Sequence, residues 1–235
     1  MELSPRLRTI AEQVPNGVRL ADIGTDHAYL PVWLLKHDRI SFAIASDLRE
    51  GPLYRGMSVA KQWSISTEKI SFRCCDGLVG IQRDEVDTVV IAGMGGDTIA
   101  HCINGVTWSR DPELMFLLQP MSSIPELRLW LQENGFYIEE EKIAKEQAKH
   151  YVVMRVRYGY MEPLTLAERW VGRQRKGKPV RYRTEYLDDM ILRRERALEG
   201  MLKATSKPLD GEVEELQNTL QELYQMREEW FSWQQ

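Results

Sequence analysis

The chain has little of what staples or metallates a small fold. Its three cysteines, Cys74, Cys75 and Cys102, are odd in number and lack C-x-x-C spacing. That excludes a disulfide framework and a zinc site, and fits reduced, buried thiols in a cytosolic protein. The four histidines, His27, His37, His101 and His150, show no metal-ligand spacing either, so no metal is expected. No apolar run approaches the roughly 20 residues of a membrane span. Met-Glu-Leu-Ser-Pro at the start has none of the marks of a secretory leader. The expectation is a cytoplasmic protein with no membrane partner. A net charge of −4 over 235 residues dictates no partner by itself, since what matters is where the charges lie. Also missing is G-x-G-x-x-G, the glycine-rich cradle of a pyrophosphate, which argues against a nicotinamide-dependent oxidoreductase. The length suits one α/β domain with an appendage.

What is present begins with Val18-Arg-Leu-Ala-Asp-Ile-Gly-Thr-Asp-His-Ala-Tyr-Leu-Pro31. A short apolar run is closed by Asp22 and Gly24, and a helix-like run follows. This pattern predicts a strand turning tightly into a helix, the place where open α/β sheets bind nucleotide-like ligands. One glycine between two acids, Asp22 and Asp26, suits a cationic, polyhydroxyl ligand without phosphates. S-adenosylmethionine, with its sulfonium, ammonium and ribose diol, has that chemistry.

Strands and helices then alternate. Ser4 and Pro5 open a helix over 4–14 as N-cap and first helical residue. Strands are predicted at Val18–Ile23, Ser41–Ser46, Ile70–Cys74, Val86–Ala92 and Leu114–Leu118. Helices are predicted at Tyr29–His37, Gly51–Trp63 and Pro125–Glu133, the last stopped by Asn134-Gly135. Regular alternation implies five parallel strands with right-handed crossovers. Phe136–Ile143 and Tyr151–Tyr158 lie too close for a helical crossover and predict an antiparallel hairpin at the sheet edge. This is the layout of a class I methyltransferase, a Rossmann-like α/β domain over 1–160. From about Met161 the pattern changes. Leu187, Ile191, Arg194, Leu198 and Met201 form one a/d-type seam, and Val213, Leu216, Leu220 and Leu223 a second, with Trp230 in phase. Two helices joined through Ala204–Gly211 predict a coiled-coil hairpin domain over 161–235. Arg194 on that seam must snorkel or lie near an end. A partner helix from a second copy would satisfy the same seam, so a monomer and a weak homodimer both remain open.

Each strand end offers a different group. Asp22 suits the ammonium, and Gly24 admits close backbone approach. Asp47 stands where an acid bonds both ribose hydroxyls. Asp76-Gly77-Leu78 offers a carboxylate for the adenine amino group and an apolar cover for its ring. Ala92-Gly93-Met94-Gly95-Gly96 is a loop nearly free of side chains, with Met94 placed to pack on a base. Gln119 ends the fifth strand. Taken singly, Asp47 and Asp76 are also what caps and turns use. Together the groups follow the order one small ligand needs.

These residues resemble the bacterial TrmK-type family of tRNA (adenine-22-N1)-methyltransferases. The resemblance rests on Leu3-Ser-Pro-Arg-Leu7, Asp22–Pro31, Gly51-Pro-Leu53, Asp76-Gly-Leu78, Ile91–Gly96, Leu118-Gln-Pro120 and the helical extension. Thr25 replaces an expected serine, and Ser46-Asp47 replaces Gly-Glu. The resemblance implies S-adenosylmethionine as cofactor, held by Asp22, Gly24, Thr25, Asp47, Asp76, Gly77, Leu78, Ala92, Gly93 and Met94. It implies tRNA as substrate and adenine N1 as acceptor. Asp26, His27, Tyr29, Met94 and Gln119 are then the candidates to touch the base. Under the same reading, Arg169, Arg173, Arg175, Lys176, Lys178, Arg181 and Arg183, a run without an acid from Trp170 to Thr184, become the RNA anchor. The alternatives are a small-molecule methyltransferase, for which the basic segment is superfluous, and a non-catalytic RNA-binding adaptor.

Overall fold

The computed structural model describes residues 2–203 and 211–234. It divides into two compact units, Met1–Met161 and Glu162–Gln235.

The first unit is built on one seven-stranded sheet. Its elements are α1 (Pro5–Ala11), β1 (Arg19–Ile23), α2 (Tyr29–Lys36), β2 (Phe42–Asp47), α3 (Glu50–Gln62), β3 (Ile70–Cys74), β4 (Thr88–Gly95), α4 (Gly96–Asn104), β5 (Met115–Ser122), α5 (Ile124–Glu133), β6 (Phe136–Glu146) and β7 (Lys149–Tyr158). The strand order is β3-β2-β1-β4-β5-β7-β6. β1 to β5 pair in parallel, and β7 joins β5 antiparallel. Val89, Val90 and Ile91 of β4 are all fully buried, as a central strand covered on both faces requires. The order reverses between β1 and β4, so right-handed crossovers send α2 and α3 to one face and α4 and α5 to the other. α1 packs on α2, β6 and β7. It starts as the sequence predicts, with Ser4 Oγ accepting from Leu7 N at 3.4 Å.

The hairpin forms as expected, with β6 as the sheet border. Its acids pair back across the ladder, Glu140 with Arg155 at 3.2 Å and Glu139 with Arg157 at 3.7 Å. A register shift between Ile138 and Glu140 bends the strand. β4 and β5 run further than predicted, to Gly95 and Ser122. No span was predicted for α4, whose first turn holds Asp97 and whose buried face includes Ile99, Cys102 and Ile103.

The second unit comprises α6 (Leu166–Val171), α7 (Arg183–Lys203) and α8 (Glu212–Ser232). α7 and α8 pack on each other within one chain. Leu187, Ile191, Leu216, Leu220, Leu223 and Trp230 are buried along the predicted seams. Arg194 snorkels, its guanidinium carbon 4.0 Å from the Trp170 ring centre. Of the predicted connection Ala204–Gly211, residues 204–210 lie outside the described residues.

Candidate active site

The carboxyl ends of β1, β2 and β4 meet at the reversal of strand order, the crevice where such sheets take ligands. Asp22, the next-to-last residue of β1, is only 8% exposed. Among the described residues no basic side chain pairs with it, and burial pushes its carboxyl up to about 6, partly offset by a hydrogen bond from Thr25. A dehydrated carboxylate without a counter-charge is complementary to an ammonium group. Thr25 is buried, and its Oγ1 also accepts from Ala28 N at 3.0 Å. Its hydroxyl therefore serves Asp22 and the entry to α2. The turn itself is pinned to β2, because the N–H groups of Gly24 and Thr25 both donate to Ser46 O, at 2.8 and 2.9 Å.

Gly24 has φ +72°, and a Cβ built there would lie 1.8 Å from Met94 Cε. Met94 thus packs on the bare backbone of the β1 turn, which brings the β4 loop against the β1 loop. Gly93, at φ +79°, sits in a bulge where the β4–β5 register slips between Ala92 and Met94. Half-buried Ala92 leads into it. Asp47 accepts the Arg49 N–H at 2.9 Å through Oδ1, while Oδ2 has no partner among the described residues. One oxygen fixes the turn and the other is open to a hydroxyl. The exposed Asp76 carboxylate has His101 Nε2 at 3.6 Å.

Leu78 departs from expectation. It is fully buried, so its side chain belongs to the core and cannot cover an adenine ring. Gly77, at φ +53°, is held by packing, since a Cβ there would lie 3.1 Å from Cys102 Cα on α4.

Gln119 also differs from expectation. It is fully buried, with Oε1 accepting from Arg6 Nη1 at 2.6 Å and Gly93 N at 3.2 Å. Its Nε2 donates to Pro120 O at 2.8 Å and to Met121 Sδ at 3.4 Å. With both ends of the amide engaged, Gln119 is a strut between β4, β5 and α1. Asp26 is exposed and tied to Arg55, whose hydrogen bond holds its carboxyl below the usual range, with His27 Nε2 at 3.3 Å. A carboxylate so stabilised as the anion is a poor proton acceptor. His27 and Tyr29 stack, with centroids 5.0 Å apart and planes 7° from parallel. Tyr29 is 42% exposed, so the pair presents a flat aromatic surface. Arg6 and Arg55 were not singled out by sequence reasoning. Arg6 lies in the Leu3–Leu7 motif, its one visible signal.

The donor set fits S-adenosylmethionine: a buried acid for the ammonium, a carboxylate oxygen without a partner for the ribose, and glycine backbone at Gly24 and Gly93. Comparison with known proteins agrees with that reading. A family model described as a methyltransferase domain matches residues 3–154. The chain belongs to the methyltransferase-domain family. The tRNA (adenine(22)-N(1))-methyltransferase of Bacillus subtilis is 36% identical over 154 residues. That match spans 66% of this chain and 64% of the relative's length. In structure the likeness covers both units. The B. subtilis M1A22 tRNA methyltransferase TrmK superposes with a TM-score of 0.76 at 29% identity, over 97% of this chain and 96% of that one. Sp1610 of Streptococcus pneumoniae, solved in complex with S-adenosyl-L-methionine, gives a TM-score of 0.81 at 29% identity over 96% and 100%. The TrmK resemblance stated from motifs therefore extends through the methyltransferase domain and the helical unit.

The basic segment of the second unit is partly structural. Arg183 is 4% exposed and donates to the carbonyls of Val171 and Gly172, so it cannot meet a phosphate. Arg173 is engaged by Glu168, through Nε at 2.8 Å and Nη2 at 2.9 Å, and by the Glu162 and Pro163 carbonyls. Arg169 is half-buried. Arg175, Lys176, Lys178 and Arg181 are exposed. Of the seven basic residues singled out, these four are the exposed ones. Among the described residues no helix is long and apolar enough to cross a membrane, and no three His, Cys, Asp or Glu side chains form a group able to hold a metal.

Proposed function

We propose that the protein transfers a methyl group from S-adenosylmethionine to N1 of adenine 22 in tRNA. The observation that carries this reading is the buried Asp22 carboxylate at the β1 turn, without a cation of its own, on the strand next to the glycine backbone at Gly93. The names of the relatives supply the acceptor. Bound S-adenosylmethionine supplies an electrophilic methyl on a sulfonium. Adenine N1 carries a lone pair, so attack needs no prior deprotonation, and the residues of the site are left with orientation and exclusion of water. The His27–Tyr29 pair is a stacking surface for an extruded base, whose unstacking costs a few kcal/mol. Asp26 holds Arg55 at that surface, and Gln119 fixes the Gly93 backbone. The tRNA is held through phosphates by Arg175, Lys176, Lys178 and Arg181 in the cytoplasm.

The deciding experiment incubates the protein with methyl-labelled cofactor and unmodified tRNA and maps the label. Methylation of N1 of adenine 22 is expected. Label on another atom would refute the acceptor, label only on small molecules would refute RNA, and none at all would leave an adaptor.

Cofactor affinity should depend on pH. Asp22 is protonated in the ligand-free protein below about pH 6, and an ammonium ligand selects the carboxylate. Affinity for S-adenosylhomocysteine is thus expected to be flat above neutrality and to fall by up to about tenfold per pH unit below 6. Calorimetric titration from pH 5 to 8 tests this, and a flat profile would remove Asp22 from the ammonium.

Replacing Arg175, Lys176, Lys178 and Arg181 together by alanine is expected to raise the KM for tRNA while leaving S-adenosylhomocysteine affinity unchanged. The slope of log affinity against log salt should fall by up to about four, one for each phosphate that is no longer neutralised.

A further inference from the structure

Arg6 is the feature that the site as described does not use. It lies in the first turn of α1, half-buried. Its backbone N–H donates to Glu146 Oε1 at 2.8 Å, and its guanidinium reaches Gln119 Oε1 at 2.6 Å. The guanidinium lies over Gly93, where an added Cβ would come within 3.3 Å of Nη1. The Tyr151 ring centre is 5.8 Å from its central carbon. Among the described residues no carboxylate pairs with this guanidinium. Elsewhere in the unit, partly or fully buried arginines sit on acids: Arg73 on Glu85, Arg83 on Asp111 and Arg128 on Glu141. Arg39 and Arg110 do without an acid, but Arg39 is spent on Asn16 and the Val14 carbonyl at the amino-terminal edge of the sheet, and Arg110 on Asn104 Oδ1 at 3.1 Å. Arg6 instead stands at the carboxyl-terminal edge, over the crevice, with its Nε and Nη2 donors unused.

Asp22 is the opposite case on the adjoining strand. β1 and β4 are neighbours, with Asp22 facing Val90 and Ile23 facing Ile91, so Asp22 and the Gly93 loop under Arg6 border one crevice. An unpaired anion and an unpaired cation stand there without pairing with each other. That is the complement of a zwitterion. We propose that Arg6 binds the α-carboxylate of the cofactor's amino-acid end, opposite the ammonium held by Asp22. The guanidinium offers two N–H donors to the two carboxylate oxygens in a fork that suits them, and Gln119 aims it. The proposal rests on the cofactor reading given above.

The test is a binding cycle with the full-length chain. S-adenosylhomocysteine and its decarboxylated analogue, which keeps the ammonium, are titrated calorimetrically into wild type, Arg6→Ala, Arg6→Lys and Asp22→Asn. Wild type is expected to prefer S-adenosylhomocysteine by about twentyfold or more. Arg6→Ala should erase that preference while binding the analogue within about twofold of wild type, and Arg6→Lys should keep part of it. Asp22→Asn should weaken both ligands and leave the preference intact. A preference that survives in Arg6→Ala overturns the proposal. So does unchanged S-adenosylhomocysteine affinity accompanied by a higher KM for tRNA and a salt slope lower by about one, which would assign Arg6 to an RNA phosphate. Loss of affinity for both ligands in Arg6→Ala would make the residue structural and overturn it as well. If wild type binds neither ligand, the cofactor reading itself fails.

Discussion

Asp22→Asn is expected to raise the melting temperature of the ligand-free protein and to remove the further rise that S-adenosylhomocysteine produces. Both effects come from one buried charge. Desolvation lifts the Asp22 carboxyl from an ordinary 3.8 to about 6, and a shift of that size corresponds to about 3 kcal/mol at most. Because the folded-state value lies above the unfolded one, this group favours folding fully below about pH 4. That contribution is lost as pH rises through 6. At pH 7.5 the ionised side chain therefore weakens the fold, and a neutral amide of the same shape relieves part of the cost. A gain of about 1–2 kcal/mol, or a few degrees, is expected after allowing for burial of the amide. Ligand affinity should move the other way. Removing a desolvated charge from an ion pair costs about 2–5 kcal/mol, about thirtyfold or more in affinity. A variant that melts lower than wild type yet keeps the ligand-induced rise would show that Asp22 is structural.

Glu141→Ala is expected to destabilise the first unit strongly. Arg128 of α5 is fully buried and directs Nε at 2.9 Å and Nη2 at 2.8 Å to Glu141 Oε1 on β6. Removing the acid takes from a fully buried guanidinium the carboxylate that two of its nitrogens approach, at a cost of about 3–5 kcal/mol. The urea midpoint should fall with little change in slope. Replacing both residues by apolar ones, Arg128→Met with Glu141→Leu, should recover part of the loss, since the buried ion pair is then exchanged for apolar packing. A single-variant cost below about 1 kcal/mol would mean that water or another group replaces the carboxylate.

The frame of the molecule was legible because burial leaves a period in the sequence. Short apolar runs set at βα spacing marked β1 to β5, two runs too close for a crossover marked the hairpin, and the a/d recurrence marked α7 and α8. Boundaries failed where that period stops. β4 and β5 continue by backbone pairing through Gly93 and Pro120, residues that carry no apolar pattern. α4 follows directly on glycines and has no side-chain cap at its start, so no capping residue marks where it begins. In the site, the residue types at strand ends indicated the ligand class, since carboxylates and glycine there are chemically specific. Partners distant in the chain left no mark. Arg6 meets Gln119 across 113 positions, and nothing near Gln119 reveals that its amide is already engaged. The basic run misled for a related reason, because a string of like charges does not say which members turn inward. Arg183 does, into the Val171 and Gly172 carbonyls.

The outermost strand also bears on how the protein behaves when crowded. A border strand with free amides invites a second sheet to zip onto it. β6 carries Glu139, Glu140, Lys142 and Glu146 along a kinked rail, so another copy drawing alongside would have to desolvate that row of ions and match the kink. The acids that brace this hairpin against β7 thereby double as a guard against self-association into fibrils.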